Sequence, residues 1–174
     1  MLTVAIIGAG PLGRRLAAAA ARAGYRVLLE DVMPANLHHA REALRLELSP
    51  ESLPAVAFVS TIEDSVRNAD LAIDCVPDEL ESKLEIFCLL DRMAPPRTVI
   101  ATPTIRQSIS DLASCTYRAD KCIAIVAEAD TLSRCRDELL LRTTPQTAPE
   151  AIALVRDFCE RVGFKPRIES EVAS

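Results

Sequence analysis

The sequence has few aromatic residues and no tryptophan. Aromatic side chains make up 3% of the 174 residues, whereas 49% of the residues are hydrophobic. The interior must therefore be filled by leucine, valine, isoleucine and alanine, which is typical of strands that helices bury on both faces. This length and composition predict an α/β protein with one hydrophobic core, so we expect a single domain over residues 1–174.

The sequence also lacks an excess of positive charge and a long apolar run. Twenty basic residues stand against twenty-five acidic ones, which leaves a formal net charge of -5. The basic positions are scattered and form no stripe, so nucleic acid is not an expected partner. Residues 2–7 are apolar, but they carry no basic leader, stop at Gly8 and fall far short of a bilayer span, so no membrane association is expected.

Cysteine and histidine occur, but without the spacing of a metal site or a disulfide framework. The six cysteines contain no C-x-x-C pair and have no histidine nearby, so we predict no metal ligand and a reducing, cytoplasmic environment. The two histidines, His38 and His39, are adjacent on a predicted helix and are interpreted as surface residues. The cysteines are Cys75, Cys88, Cys115, Cys122, Cys135 and Cys159.

Short apolar segments alternate with helical segments along the whole chain. Such alternation, without an internal repeat or a long linker, predicts an open, mostly parallel, doubly wound sheet. Gly24 is placed to end the first helix. The predicted strands are 2–7, 25–30, 55–59, 71–76, 98–101, 122–127, 138–141 and 165–168. The predicted helices are 12–23, 34–48, a short one capped by Ser60 or Thr61, 78–93 and 148–162.

A glycine-rich loop follows the first predicted strand and opens the first helix. Its sequence, Gly8-Ala9-Gly10-Pro11-Leu12-Gly13, fits the pattern G-x-G-x-x-G. That spacing also occurs in ordinary turns, but here an acid, Asp31, follows 18 residues after Gly13 at the end of the second strand. Strand, loop, helix and acid together predict a Rossmann-type dinucleotide-binding unit.

Each residue type in this unit has a physical task. Gly8 permits a sharp turn, Gly10 lets the backbone approach a pyrophosphate, and Gly13 lets the helix pack closely on the strand. The N–H groups of the first helical turn then hold the pyrophosphate. We expect Asp31 to accept hydrogen bonds from the adenosine ribose and to repel a 2′-phosphate, which favours NAD over NADP; Glu30 is the second candidate for this task.

The chain resembles the NAD-binding domain of 3-hydroxyacyl-CoA dehydrogenases over nearly its whole length, and two segments show this most clearly. Residues 4–31 have the glycine loop, helix and acid of that family in register, and residues 69–83, ADLAIDCVPDELESK, look like its segment ADLVIEAVPE-L--K. The resemblance implies that Asp78, or Glu79, and Lys83 help to hold the cofactor. The alternatives are an acid at a helix N-terminus and a solvated lysine.

The catalytic motifs of this family are not matched. Its S-N-T-S-S motif aligns with residues 102–106, where Ile105 takes the place of the serine that assists catalysis. Its H-F-F-N-P motif aligns with residues 126–130, which contain no histidine, and Glu138 aligns with the acid that orients that histidine. The chain also ends soon after residues 165–168, where the family continues into a helical substrate domain. We therefore assign no catalytic residue and expect little autonomous dehydrogenase activity.

Three functions remain open at this stage. The first is an NAD(H)-binding protein without hydroxyacyl-CoA dehydrogenase activity of its own. The second is an active NAD-dependent oxidoreductase on a small hydroxy substrate, with Lys83, Glu128 or Asp130 as acid or base. The third is an interaction domain that binds no nucleotide. A homodimer is expected for the first and the second function, both of which involve dinucleotide binding.

Overall fold

The computed structural model describes residues 1–127 and 138–171. Within these ranges the chain alternates between strands and helices, as the sequence pattern predicts. The strands are β1 (Thr3–Ile7), β2 (Arg26–Glu30), β3 (Val56–Val59), β4 (Leu71–Asp74), β5 (Val99–Pro103), β6 (Cys122–Val126), β7 (Glu138–Thr143) and β8 (Lys165–Ser170). The helices are α1 (Pro11–Arg22), α2 (Pro34–Glu47), α3 (Ile62–Val66), α4 (Leu80–Met93), α5 (Ile109–Ser114) and α6 (Pro149–Arg161).

The described strands form one sheet in the order β3-β2-β1-β4-β5-β6-β7-β8. Strands β1 to β6 are parallel, β7 runs antiparallel to β6, and β8 is parallel to β7. The predicted mostly parallel, doubly wound sheet is therefore confirmed. The strand order reverses between β1 and β4, so the carboxyl ends of these two strands flank a crevice.

Two hydrophobic clusters sandwich the sheet. Successive residues of β1 point to opposite faces, since Val4 and Ile6 belong to one cluster whereas Ala5 and Ile7 belong to the other. Helices α1, α2 and α6 cover the first face, and α3, α4 and α5 cover the second. Burial on both faces explains why inner strands such as β1, β4 and β6 are nearly continuous apolar runs.

Proline and glycine set the ends of the longer helices. Proline is the first residue of α1, α2 and α6, where its missing N–H costs no hydrogen bond. Gly24 and Gly163 follow α1 and α6 with φ angles of 86° and 103°. This left-handed conformation suits glycine and closes each helix. Glycine at these two positions therefore marks the helix ends in the sequence.

The structure differs from the sequence pattern in a few places. The predicted strand 71–76 ends at Asp74, and the predicted helix 78–93 begins at Leu80. Helix α5 was not predicted; it is short, and its start is marked by the Ser108 hydroxyl, which accepts a hydrogen bond from the Asp111 N–H at 3.2 Å. None of the described helices combines the length and the apolar character that crossing a bilayer requires.

Candidate functional site

A cleft of about 760 Å³ opens at the carboxyl ends of β1, β2, β4 and β5. The loops that follow these four strands form its walls. The cleft lies where the strand order reverses. In doubly wound sheets this crevice is the usual place for a ligand, because loops on both sides diverge there.

The three glycines of the loop between β1 and α1 have different surroundings. Gly8 has a φ of +103°, and a β-carbon there would lie 3.1 Å from the Cys75 carbonyl oxygen. A β-carbon at Gly13 would collide with the Gly8 carbonyl oxygen, so α1 packs directly on the loop. A β-carbon at Gly10 would meet no protein atom within 4 Å, and Gly10 itself lines the cleft. Gly10 therefore leaves an open space at the start of α1, which we call the cradle.

The other loop residues complete this cradle. Ala9 is buried, and its N–H donates to Asp31 Oδ2 at 2.9 Å. Pro11 and Leu12 form the first turn of α1 and line the cleft beside Gly10. The first N–H groups of a helix have no partner within the helix, and the helix dipole makes this end positive. The cradle thus fits a diphosphate.

Asp31 joins the glycine loop to the segment that leads into α2. Its Oδ2 accepts hydrogen bonds from the Ala9 N–H at 2.9 Å and from the Asn36 side-chain amide at 3.1 Å. Its Oδ1 accepts from the Met33 N–H at 2.8 Å. A carboxylate offers about four acceptor positions, so these three bonds leave Asp31 able to accept from a ligand hydroxyl in the cleft that it lines.

Glu30, the residue before Asp31, is buried and also lines the cleft. Among the described residues, no group donates a hydrogen bond to its Oε1. Burial, together with the charge of Asp31, raises the pKa of Glu30 to about 7. A buried polar atom without a partner costs free energy, and such atoms commonly mark a site that a ligand or water completes.

Asp78 braces the loop that follows β5. One of its carboxylate oxygens accepts from the Thr104 hydroxyl at 2.5 Å, and the other accepts from the Ile105 N–H at 3.0 Å. The Thr104 hydroxyl in turn accepts from the Gln107 N–H at 3.0 Å. Asp78 therefore lines the cleft, as expected for a cofactor-binding residue, and also shapes its β5 wall. Its contact with a dinucleotide stays a prediction.

Lys83 is fully buried in an ion pair beneath the β4 end of the cleft. Its Nζ lies 3.2 Å from Asp74 Oδ2 and donates to the Thr102 hydroxyl at 2.9 Å. Burial raises the pKa of Asp74, and the Lys83 ammonium opposes this effect. Asp74 Oδ1 also accepts from the Val76 N–H at 3.1 Å, which fixes the start of the β4–α4 loop. Lys83 is not among the residues that line the cleft, and its contact with the cofactor stays a prediction.

Asp74, the partner of Lys83, belongs to none of the sequence motifs that predict the site. An acid within an apolar strand is one available signal. A second is the spacing of Lys83 from Phe87 and Leu90, which places the lysine on the buried face of α4. Burial of such a lysine requires an acid partner.

The catalytic positions of the resembled family lie partly on the cleft. Ile105 is half exposed and lines the cleft together with Arg106 and Ala127. Glu128 and Asp130 lie outside the described residues. His38 and His39 are exposed on α2 and do not line the cleft. The described part of the cleft therefore presents Ile105, which the sequence resemblance pairs with the serine of the family, and no imidazole.

The described residues contain no group of three or more His, Cys, Asp or Glu side chains that could hold a metal ion. Cys75 lines the cleft, but burial raises the pKa of its thiol, so a reactive thiolate is not favoured there. The five cysteines within the described ranges are free thiols.

The fold and the cleft define a class: a Rossmann-type dinucleotide-binding domain. A family model described as "3-hydroxyacyl-CoA dehydrogenase, NAD binding domain" matches residues 3–170. The chain belongs to this family, and NAD is the cofactor for which the family is named. The resemblance and the cofactor expected from the sequence are thereby confirmed.

Individual relatives agree with this assignment. The chain is 28% identical over 173 residues to 5-formyl-3-hydroxy-2-methylpyridine 4-carboxylate 5-dehydrogenase of Mesorhizobium japonicum, covering 94% of the chain and 55% of the relative. It is 27% identical over 135 residues to a probable 3-hydroxybutyryl-CoA dehydrogenase of Bacillus subtilis, covering 70% of the chain and 47% of the relative. The chain thus spans about half the length of these curated relatives.

A solved structure shares the fold. The (S)-3-hydroxybutyryl-CoA dehydrogenase of Ralstonia eutropha superimposes with a TM-score of 0.87 at 22% identity, covering 98% of the chain and 64% of that structure. At this identity the comparison supports the fold alone.

Proposed function

We propose that this chain binds NAD(H) in the cleft and has little or no hydroxyacyl-CoA dehydrogenase activity of its own. One observation carries the proposal. The open cradle at Gly10, the N-terminus of α1 and the Asp31 carboxylate all lie on the same cleft. The cradle would hold the pyrophosphate, and Asp31 would accept from the adenosine ribose. When bound, NAD supplies hydride transfer.

The β5 side of the cleft supports the second half of the proposal. General acid–base catalysis contributes roughly 10²- to 10⁴-fold to a rate, and it needs a group within hydrogen-bond reach of the reacting atoms. The Thr102 hydroxyl is engaged by the buried Asp74 and Lys83 pair, and Ile105 has no hydroxyl. No described imidazole lines the cleft.

The other two functions have less support. An oxidoreductase that uses Lys83 would have to free its ammonium from Asp74, and Glu128 and Asp130 lie outside the described residues. An interaction domain that binds no nucleotide would have no use for an open cradle in front of Gly10.

Calorimetric titration with NAD, NADH and NADP tests the proposal. We expect one NAD or NADH per chain and weaker binding of NADP, because Asp31 would repel its 2′-phosphate. Asp31→Asn keeps the size of the side chain but removes its charge, and should weaken NAD binding about tenfold through loss of a charge-assisted hydrogen bond. The proposal fails if none of the three dinucleotides binds the wild-type chain.

We also propose that the chain self-associates. Ile168 on β8 is 40% exposed, and β8 is the last strand of the described sheet. An exposed apolar residue on an edge strand favours pairing with a second copy. Light scattering should give the mass of a dimer, and Ile168→Lys should give the mass of a monomer.

A further inference from the structure

Glu30 is a buried group on the cleft that the proposed NAD site does not use. The residue is 2% exposed, and its Oε1 lacks a hydrogen-bond partner among the described residues. Asp31, in contrast, already accepts three hydrogen bonds from the protein. An unpartnered carboxyl that lines a ligand cleft is placed to bond the ligand.

The register of the sheet shows which part of the cleft Glu30 faces. Glu30 pairs with Ile7 of β1 and Val59 of β3, and side chains at paired positions share a face of the sheet. Ile7 belongs to the cluster that α3 and α4 cover. Glu30 therefore faces the part of the cleft that lies toward these two helices.

The walls of that part of the cleft are apolar. Ile62 at the start of α3, Val76 after β4 and Ile86 on α4 all line the cleft with Glu30. The base of a dinucleotide is attached to the ribose, so a ribose held at Asp31 brings its base into this neighbourhood. Apolar walls suit the flat faces of a purine, which leaves its polar edge to be bonded by a polar group.

We propose that the Glu30 carboxyl recognises the adenine base through hydrogen bonds; this inference rests on the proposed NAD(H) site. The protonated carboxyl donates a hydrogen bond to a ring nitrogen of adenine and accepts one from the exocyclic amino group. A neutral carboxylic acid has one donor and a free acceptor, which match this edge of the base. The assignment gives the orphaned oxygen of Glu30 a partner.

Ionisation of Glu30 would remove the donated hydrogen bond and add a negative charge near the diphosphate. Burial and Asp31 raise the pKa of Glu30 to about 7, so the carboxyl is protonated below that pH. Binding of an adenine dinucleotide should therefore weaken as the pH rises through 7. Other titratable groups on the neighbouring elements include Glu63 and Asp64 on α3, Cys75, Asp78 and Glu79 after β4, Glu81, Lys83, Glu85, Cys88, Asp91 and Arg92 on α4, and Arg106 after β5.

A dinucleotide with 1-deazaadenine in place of adenine distinguishes base recognition from charge repulsion. Its ring keeps the amino group but carries a C–H where adenine has the adjacent bare nitrogen, so it has no hydrogen bond donated by the protonated carboxyl to lose on ionisation. Repulsion between the carboxylate and the diphosphate, in contrast, would act equally on both dinucleotides.

The test is calorimetric titration with NAD and with nicotinamide 1-deazaadenine dinucleotide at about pH 6 and about pH 8. For the wild-type chain we expect the dissociation constant of NAD to rise about tenfold between these pH values, because only the protonated fraction binds. The constant for the 1-deazaadenine dinucleotide should rise less than about threefold, because its base accepts no hydrogen bond from the carboxyl at either pH. Glu30→Gln keeps a donor and an acceptor and cannot ionise, so its affinity for NAD should be independent of pH.

Glu63→Gln is the matched control, since it removes the same charge from an exposed position on α3. It should follow the wild type. An affinity for NAD that does not change with pH, a fall that persists in Glu30→Gln, or an equal fall for both dinucleotides would each overturn the role of Glu30 while leaving the NAD site standing. Failure of NAD to bind at either pH would overturn the NAD site itself.

Discussion

Gly10 and Gly13 look alike in the sequence but face different surroundings. A β-carbon at Gly10 would meet no protein atom within 4 Å, whereas one at Gly13 would meet the Gly8 carbonyl oxygen. Gly10→Ala should therefore change the free energy of unfolding by less than about 1 kcal/mol and weaken NAD binding at least about tenfold, because the methyl group occupies the place of the diphosphate.

Gly13→Ala is the contrasting variant. It should lower the free energy of unfolding by about 2 kcal/mol or more, since α1 must move away from the loop. Urea unfolding and NAD titration of both variants check this pair. Unimpaired NAD binding by Gly10→Ala would contradict the assignment of the cradle.

Glu30 gives the unliganded protein a pH-dependent stability. Because its pKa is raised to about 7, the folded state binds more protons than the unfolded state between the ordinary pKa of 4.5 and 7. The contribution of Glu30 to stability is thus present below this window and is lost as the pH rises through it.

Glu30→Gln removes this dependence. The variant should exceed the wild type in free energy of unfolding by about 2 kcal/mol near pH 8 and by little near pH 5. Urea titrations at the two pH values measure the difference. A variant that is less stable than the wild type near pH 8 would show that the folded protein favours the ionised carboxylate.

At the scale of elements, the Asp74–Lys83 pair joins β4 to α4. Both side chains are fully buried, and Thr102 of β5 bonds to each of them. Lys83→Met would leave the Asp74 carboxylate buried without its counter-charge, which should cost about 3–5 kcal/mol of stability. Thermal and urea unfolding measure this cost.

The double variant Asp74→Leu, Lys83→Met separates charge from packing. It should recover most of the lost stability, because apolar replacement of a buried pair is often neutral. A double variant as unstable as Lys83→Met alone would mean that shape, and not the unpaired charge, causes the loss.

The sequence pattern predicts most elements because their signals are local. Proline at the start of α1 and glycine at its end are examples, and the sheet class follows from alternation of strands and helices. Helix α5 was missed because it is only six residues long; the signal that remains is Ser108 followed by Asp111.

The candidate site is likewise predictable only where its signals are local in the sequence. The cradle and Asp31 follow from a motif with fixed spacing, but the partner of Lys83 depends on how α4 packs against β4 and β5. The orphaned oxygen of Glu30 likewise depends on the shape of the cleft. Such features arise between elements, so no local pattern records them.

At the scale of the whole chain, the dinucleotide cleft is present but the catalytic motifs of the family are not matched. The chain should therefore bind NAD(H) without oxidising or reducing a hydroxyacyl-CoA substrate. We expect the purified chain to give no measurable oxidation of NADH with acetoacetyl-CoA, since a missing base alone lowers a rate by roughly 10²- to 10⁴-fold. The change in NADH absorbance measures this directly. Turnover at a rate typical of a dehydrogenase, about 1–10³ per second, would contradict this half of the proposal.

The central claim is that the crevice between β1 and β4 holds a dinucleotide on the first turn of α1. A crystal structure of the chain grown with NADH tests it most directly. The account predicts a diphosphate against Gly10 and the Leu12 N–H, with the adenosine ribose at Asp31. A dinucleotide bound elsewhere, or an empty crevice in a lattice that leaves it open, would contradict the claim.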